Sequence, residues 1–510
     1  MATTLVKVFH LLSRLKDYLN IASPGLDTFV YIMRVRIPIM TSPSDRPIIK
    51  EKISSHLEQL NHNAAGIDLG SAEHWVCVPE DRAQQNVRRF GCFTADLIAM
   101  ADWLIECGVT TVAMEATGVY WIPVFQMLET RGLELKLVNA HHVKTVPGRK
   151  TDVNDCQWLQ QLHTYGLLAG SFRPSDQICV LRSYIRQRDS LIKNATTHVQ
   201  RIQKALIQMN LHLHKVISDL TGLTGMTIIR AIVAGERDPQ ILAALKNPRI
   251  KSSTTEIAKA LTGDYRLEHL FVLQQELTLY DVYQQQITVI DTQIEQCLAG
   301  FEPKTVDELP TTSKPHRHKP SANHPNFNLR EYLYRMVGVD FTLINGLDAL
   351  GVQNILAEVG LEPHRFPTVK HFCSWLGLCP GQKITGGKIK SSKTRPVENR
   401  AANAFRMAAF SLTRSRSALG AFYRRLRSRL GAPKAITATA HKIAQIFYKL
   451  WVTGGNYADP GMDYYEQKYH EQIFQHLKHR AAALGLELVP IEQQLDDHTP
   501  SVPAPATSAF

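Results

Sequence analysis

Ala64-Ala65-Gly66-Ile67-Asp68-Leu69-Gly70 is a short apolar run that ends in a carboxylate and a turn residue. Its length, with Gly70-Ser71 bounding it, predicts a buried strand that carries Asp68 at its end. Working outward, His74 to Pro79 and Val87 to Cys92 read as two further β-rich segments. A helix follows. Thr94 is its expected N-cap, Asp96 lies in the first turn, and Leu97, Ala101, Leu104 and Ile105 share one face. Thr110 to Met114 reads as a second buried strand, and it delivers Glu115. A helix from Tyr120 to Thr130 stops at Gly132, Leu133 to Val138 is a strand, and Asp152 to Leu168 is helical. Three strands, helix, strand, helix, strand, helix predicts an α/β layer whose helices cover a mixed sheet.

Four carboxylates stand out on this order of elements. Asp68 and Glu115 each end a predicted strand, and Asp152 and Asp155 lie in Lys150-Thr151-Asp152-Val153-Asn154-Asp155. Residues three apart on a helix share a face, so the last two point together. Four like charges around one cleft repel, and divalent cations would relieve that repulsion. Two Mg2+ ions about 3.5–4 Å apart are the usual clamp for displacement at a phosphodiester. Alone, Asp68 or Glu115 is as compatible with a solvated strand end. The four together, at this spacing, point to metal-dependent nucleic-acid chemistry.

Downstream the pattern changes. Leu181, Ile185, Ile192, Ala195, Val199, Ile202, Leu206 and Met209 repeat mostly at three or four residues, as do Leu273, Leu277, Tyr280, Ile287, Ile290, Ile294 and Leu298. These read as two long amphipathic helices, paired as a coiled coil or packed in an ordinary bundle. Phe301 to Asn328 is rich in Pro, His, Lys and Ser and reads as a linker, so His316, His318 and His324 are expected in a solvated loop rather than on a metal. A mostly helical domain is expected from about Leu329 to Gly455, and the Pro-, Ala-, Ser- and Thr-rich end beyond Gln493 reads as disordered.

That last domain is strongly basic. From Arg365 to Arg429 there are fifteen Lys or Arg and a single acidic residue, Glu398. Candidate phosphate-contacting residues are Lys383, Lys388, Lys390, Lys393, Arg395, Arg400, Arg414, Arg424, Arg425 and Arg427. Leu343-Ile344-Asn345-Gly346-Leu347 reads as a helix-turn-helix hairpin whose backbone amides meet a phosphate. The run from Gly377 to Lys388 places Thr385 before Gly386-Gly387, a hydroxyl among glycines and lysines that suits either phosphate chemistry or a plain β-turn.

The whole chain, 510 residues with a formal net charge of +12, has room for two or three domains and favours a polyanionic partner. Its eight cysteines show neither a CxxC pair nor zinc-type spacing, which fits free thiols in a reducing cytoplasm. The most apolar candidate for a membrane span, near Phe29 to Met40, is broken by Arg34 and Arg36, and no signal-peptide pattern is evident. Leu5, Val8, Leu11, Leu12 and Leu15 would line one face of a short helix; Met33 and Met40 offer later starts, so residues 1–62 read as an extension that a misassigned start codon would also explain. The expected division is 1–62, a catalytic domain over 63–175, a helical region over 176–300, a linker over 301–328, a second domain over 329–455, and a helical segment with a tail over 456–510.

Taken together, GIDLG, MEATGVYW, KTDVND, SWLGLCPG, ITGGK and SALGAFYRRLRSRLGAPKAITATAHKIA, spread over Ala64 to Leu484, resemble the DEDD transposases of the insertion-sequence one-ten family. The likeness is to its eleven-eleven subgroup in particular, with Piv-type DNA invertases as relatives. The resemblance implies a RuvC-like domain of the ribonuclease H fold with its acidic tetrad at Asp68, Glu115, Asp152 and Asp155. It also implies a coiled coil for oligomerisation and a C-terminal transposase domain. It implies a homodimer or homotetramer on DNA, a noncoding bridge RNA that pairs with donor and target, and a bacterial, nucleoid-associated protein in the cytoplasm. In that scheme a hydroxyl of the second domain attacks a DNA phosphate while the metal-bearing tetrad of a partner subunit assists. The family motif has serine before the two glycines, where this chain has Thr385; threonine keeps the hydroxyl but its β-branch restricts χ1 and crowds the oxygen. Ser391 and Ser392 are nearby but off-register.

Other readings are weighed against this one. GIDLG also resembles the phosphate loop of actin-like sugar kinases and ATPases, but no second phosphate loop or adenosine motif follows it. A DNA-binding relic of a transposase would keep the basic domain without catalysis. A Holliday-junction resolvase shares the acidic cluster but typically lacks a basic second domain.

Overall fold

The computed structural model describes residues 58–139, 152–310 and 323–488, the side chains of Asp152 and Lys383 excepted. The readings that fall on residues 1–57, on His316 and His318, and on the tail past Gln493 lie outside these described residues. The chain divides into two compact units, Met1–Phe172 and Arg173–Phe510.

The first unit is a five-stranded mixed sheet with helices on both faces. Its elements are β1 (Ala64–Leu69), β2 (Glu73–Cys77), β3 (Val87–Gly91), α1 (Thr94–Glu106), β4 (Thr111–Glu115), α2 (Trp121–Thr130), β5 (Glu134–Val138) and α3 (Asp152–Thr164), in the order the sequence predicts. The strands lie β3-β2-β1-β4-β5, with β1 antiparallel to β2 and parallel to β4. Side chains alternate between the two faces of a sheet. Ala65, Ile67, Leu69, Val112 and Met114 therefore share one face, where they pack with Leu97, Met100 and Leu104 of α1 and Val124 and Leu128 of α2. Ala113 and Val138 take the other face and pack with Leu159 of α3.

Two boundaries differ from expectation. Phe93, not Thr94, is the N-cap of α1; its side chain caps no amide, and the Asp96 carboxylate accepts the Phe93 amide hydrogen at 3.2 Å, the reverse half of a capping box. α3 stops at Thr164 rather than Leu168, because Gly166 takes φ +67° and turns the chain away.

The second unit is built on two 33-residue helices, α4 (Asp176–Gln208) and α9 (Leu267–Ala299). Contacts late in α4 meet residues early in α9, so the pair runs antiparallel within one chain. His198 Nδ1 lies 2.5 Å from Glu276 Oε2, and the buried Arg188 is paired with the buried Asp291. Between them, α5 (Leu213–Val216), α6 (Leu223–Val233), α7 (Pro239–Ala244) and α8 (Thr254–Leu261) close a small core around Ile202, Leu206, Leu273 and Leu277.

The rest of the unit comprises α10 (Leu329–Val337), α11 (Ala349–Val359), α12 (Val369–Trp375), the strands β6 (Lys383–Thr385) and β7 (Lys388–Ser391), α13 (Arg400–Ser411), α14 (Ala418–Leu430), α15 (Ala432–Thr453) and α16 (Met462–Ala483). Its core is aromatic. Phe341 and Phe447 stack with ring centroids 3.8 Å apart, and Phe372, Phe405 and Trp451 surround them. The same core takes in Ile178, Leu181 and Ile185 of α4 and Ile294 and Leu298 of α9, so the long helices and the helical domain are one packed body. Among the described residues, no helix is long and apolar enough to cross a membrane.

Candidate active site

Gly66 decides where α3 sits. A Cβ there would lie 2.3 Å from the Gln160 amide nitrogen and 2.5 Å from the Cys156 carbonyl oxygen, so only a glycine lets helix and strand approach this closely. Gln160 Nε2 also donates to the Ala64 carbonyl, and Thr111 Oγ1 and His163 Nε2 are 2.9 Å apart. α3 thus runs back across β1 and β4, antiparallel to them. Two strand residues and four helix residues advance by nearly the same length, about 6.6 Å and about 6 Å. Ala64 lies by Gln160 and Gly66 by Cys156, so the next step sets Asp68 toward the position of Asp152.

Asp68 and Glu115 share that face. The parallel register pairs Ile67 with Met114. One residue further Asp68 runs alongside Glu115, on strands spaced about 4.8 Å apart. Both side chains are partly exposed, and Thr117 Oγ1 donates to Glu115 Oε1 at 3.3 Å. Asp155, partly exposed, directly precedes Cys156 on α3. The Cys156 thiol is fully buried, and it is held far above its usual range, first by a hydrogen bond with Cys77, then by burial, and then by the negative charges of Cys77 and Asp68. The register sets Asp68 alongside Glu115, and the approach of α3 at Gly66 points Asp68 toward the backbone of Asp152, with Asp155 following on the same helix. Among the described residues no group of three or more His, Cys, Asp or Glu is placed to hold a metal ion. The donors present are all carboxylate oxygens, the ligand type that hard divalent cations prefer.

Beneath them lies a layer the sequence did not single out. Cys77, the register partner of Gly66, and Cys156 form a buried thiol pair, and His163 is 2 % exposed with its basicity pushed down to about 4 by burial and, secondarily, by Lys136. Only the alternation of small residues in β1 hints at this layer.

In the second unit, Thr385 ends β6 and pairs with Lys388 across a two-residue turn. Gly386 and Gly387 have φ +56° and +72° with nothing within 4 Å of an added Cβ, so backbone conformation rather than space requires glycine there. The Gly-rich stretch is therefore a β-hairpin inside an otherwise helical domain. Thr385 is exposed and shares a hairpin face with Lys388 and Lys390, while Ile384 and Ile389 oppose each other on the other face.

The predicted basic residues fall into two groups. Lys388, Lys390, Lys393, Arg414 and Arg427 are exposed; Lys383 lies on β6 with its side chain outside the described residues. The others are tied down. Arg395 donates to the Ser374 carbonyl at 2.9 Å, and Arg400 pairs with Asp189 at 3.2 Å. Arg424 donates to the Ser415 carbonyl at 2.5 Å, and the Arg425 guanidinium lies 3.6 Å from the Tyr469 ring centre, with Tyr465 beside it. Arg424 and Arg425 thus fasten α16 to α14. The segment Leu343 to Leu347 is the turn between α10 and α11; a 3-10 turn (Phe341–Leu343) leads into it, and the Asp348 carboxylate caps α11 by accepting the Gly351 amide hydrogen at 2.8 Å. His324, the one described histidine of the linker, has Nδ1 3.2 Å from the Pro325 carbonyl.

Comparison with known families gives two matches. Residues 65–211 match the model of DEDD transposases of the IS110 type, and residues 341–424 match the transposase model of the IS116/IS110/IS902 family. A search of curated proteins finds no match. The first match spans the sheet, α3 and the whole of α4, and the second runs from the turn before α11 through the hairpin and α13 into the first half of α14; the chain belongs to the IS110 family of DEDD transposases.

Proposed function

We propose that the protein cuts and rejoins DNA at the ends of an insertion sequence, with Asp68, Glu115, Asp152 and Asp155 as a magnesium site and the Thr385 hydroxyl as nucleophile. Family membership implies a divalent cation, typically Mg2+. The observation that carries this reading is the in-register placement of Asp68 beside Glu115, with α3 crossing at Gly66. When bound as a pair, Mg2+ ions supply Lewis-acid polarisation of a phosphodiester and stabilise charge on its oxygens.

The chain's own residues do the rest. Lys388 and Lys390, on the Thr385 face of the hairpin, hold the DNA backbone against the hydroxyl. Thr385 Oγ attacks phosphorus and a P–O bond to the adjoining sugar breaks. The hydroxyl proton ends on the departing sugar oxygen, leaving a phosphothreonine link to one strand end. A sugar hydroxyl from the exchanged strand then attacks that link and restores Thr385. The serine-to-threonine departure puts a methyl group beside the attacking oxygen and slows this step. Exposed Lys393, Arg414 and Arg427 widen the phosphate-binding surface. A noncoding RNA that selects the two DNA sequences, and assembly as a dimer or tetramer, complete the proposal.

The test is recombination by the full chain with Mg2+, its guide RNA and both DNA ends. Thr385→Ser should equal or exceed the wild type, and Thr385→Ala should lose at least ~10³-fold with no covalent protein–DNA band. If Thr385→Ala matched the wild type, Thr385 would not be the nucleophile. If the wild type left DNA unaltered and only bound it, the chain would be a DNA-binding relic.

A further inference from the structure

α13 buries Ala401, Ala402, Phe405, Ala408 and Ala409 in the aromatic core. Its opposite side carries Asn403, Met407 and Phe410, spaced so that they line one ridge. Met407 is 65 % and Phe410 57 % exposed. One exposed apolar side chain needs no explanation, but two large ones side by side on a rigid helix do.

Their surroundings narrow the choice of partner. Arg406 stands beside the ridge with Nη1 3.0 Å from Asn403 Oδ1, and exposed Arg414 and Arg416 follow in sequence just beyond the end of α13. No acidic residue occurs from Asn399 to Ala458, Glu398 lies just before the helix, and the acid beside its first turn, Asp189, is already paired with Arg400. An apolar protein partner would gain little from two side chains hemmed in by arginines. A nucleobase offers an apolar face for Phe and Met and brings a phosphate for each arginine. In a closed duplex those faces are stacked on one another, so the base must be unpaired. Strand exchange leaves DNA unpaired between cleavage and rejoining.

We infer that the Met407–Phe410 ridge of α13 is a stacking platform for unpaired DNA, with Arg406, Arg414 and Arg416 taking the flanking phosphates. The inference rests on the reading of the chain as a DNA-recombining transposase and adds a contact that neither the acidic site nor the hairpin supplies.

The experiment measures binding of the full chain to a fluorescent single-stranded oligonucleotide, the same sequence as duplex, and the same sequence as RNA. Met407→Ala/Phe410→Ala should weaken single-stranded DNA binding roughly tenfold or more, since each stacked base contributes substantially. Duplex binding should change less than about twofold, because phosphate contacts carry it. Met407→Ala/Phe410→Trp should recover single-strand affinity relative to the double alanine variant, with a DNA-dependent loss of tryptophan emission that the double alanine variant lacks. Equal loss on single strand and duplex, no loss on either, or a larger loss on RNA than on DNA would overturn the platform. So would a change of oligomeric state in sedimentation without a change in DNA affinity, which would mark the ridge as a protein interface. Recombination that depends on Thr385, combined with any of these results, overturns the ridge alone; a wild type with no affinity for DNA overturns the transposase reading as well.

Discussion

A single methyl group added at residue 66 would come 2.3 Å from the backbone of α3. Backbone cannot rotate aside as a side-chain tip can, so the helix would have to lift and carry Asp152 and Asp155 away from Asp68. One residue with no side chain thus sets how closely α3 approaches β1 two residues before Asp68. His163, below it, responds to pH. Burial holds its imidazole neutral down to about 4, against an ordinary value of 6.5. As pH falls below about 6.5 the unfolded chain takes up the proton first, so stability is complete above that value and is lost toward pH 4. The loss should be on the order of 2–3 kcal/mol. Urea unfolding of wild type and His163→Gln across this window checks it, and an unchanged slope in the variant would remove His163 as the cause. The carboxylates were readable from sequence because strand ends and helix spacing are local properties. The thiol pair and the histidine beneath them were not, because Cys156 meets Cys77 and His163 meets Thr111 only once α3 has folded back onto the sheet.

At the scale of elements, the α4–α9 pair has a charge inside it. Arg188 and Asp291 are both buried, with a second contact from Arg188 Nη2 to Asp291 Oδ2 at 3.1 Å and a third to the Asn323 carbonyl at 2.8 Å. Pairing this deep adds little net stability over apolar side chains, but removing one partner strands a charge. Asp291→Ala should cost about 3–5 kcal/mol, and the double change Arg188→Met/Asp291→Leu should recover most of it. Denaturation midpoints of the three proteins measure this; a single variant as stable as wild type would mean the pair is solvated. The periodicity predicts both helices, yet Asp291 falls on the apolar face and reads as an interruption until Arg188 is placed opposite. The hairpin is the converse case. Gly386-Gly387 is a strong turn signal, but two short strands within a helical domain have too few residues to show alternation.

The whole molecule concentrates its positive charge in one stretch, with eleven Lys or Arg and no acid from Asn399 to Ala458. Affinity for DNA should therefore fall steeply with salt. Each phosphate contact contributes about 0.9 to the slope of log K against log salt. Replacing Lys388, Lys390 and Lys393 together by alanine should lower that slope by roughly 2–3, read by binding titrations at several salt concentrations. An unchanged slope would place these three lysines off the DNA.

The sequence alone determined the order of elements, the strand-end acids, the pairing of Asp152 with Asp155 on one helix, and the basic character of the second domain. All of these follow from period, composition and charge within a few residues. Tertiary structure decided which basic groups reach solvent: Arg424 and Arg425 are consumed by α16 while Arg414 and Arg427 stay exposed. It also decided that α3 crosses at Gly66 and that Met407 and Phe410 face outward. The reason is that a side chain's partner comes from packing between segments far apart in the chain, which local periodicity does not encode.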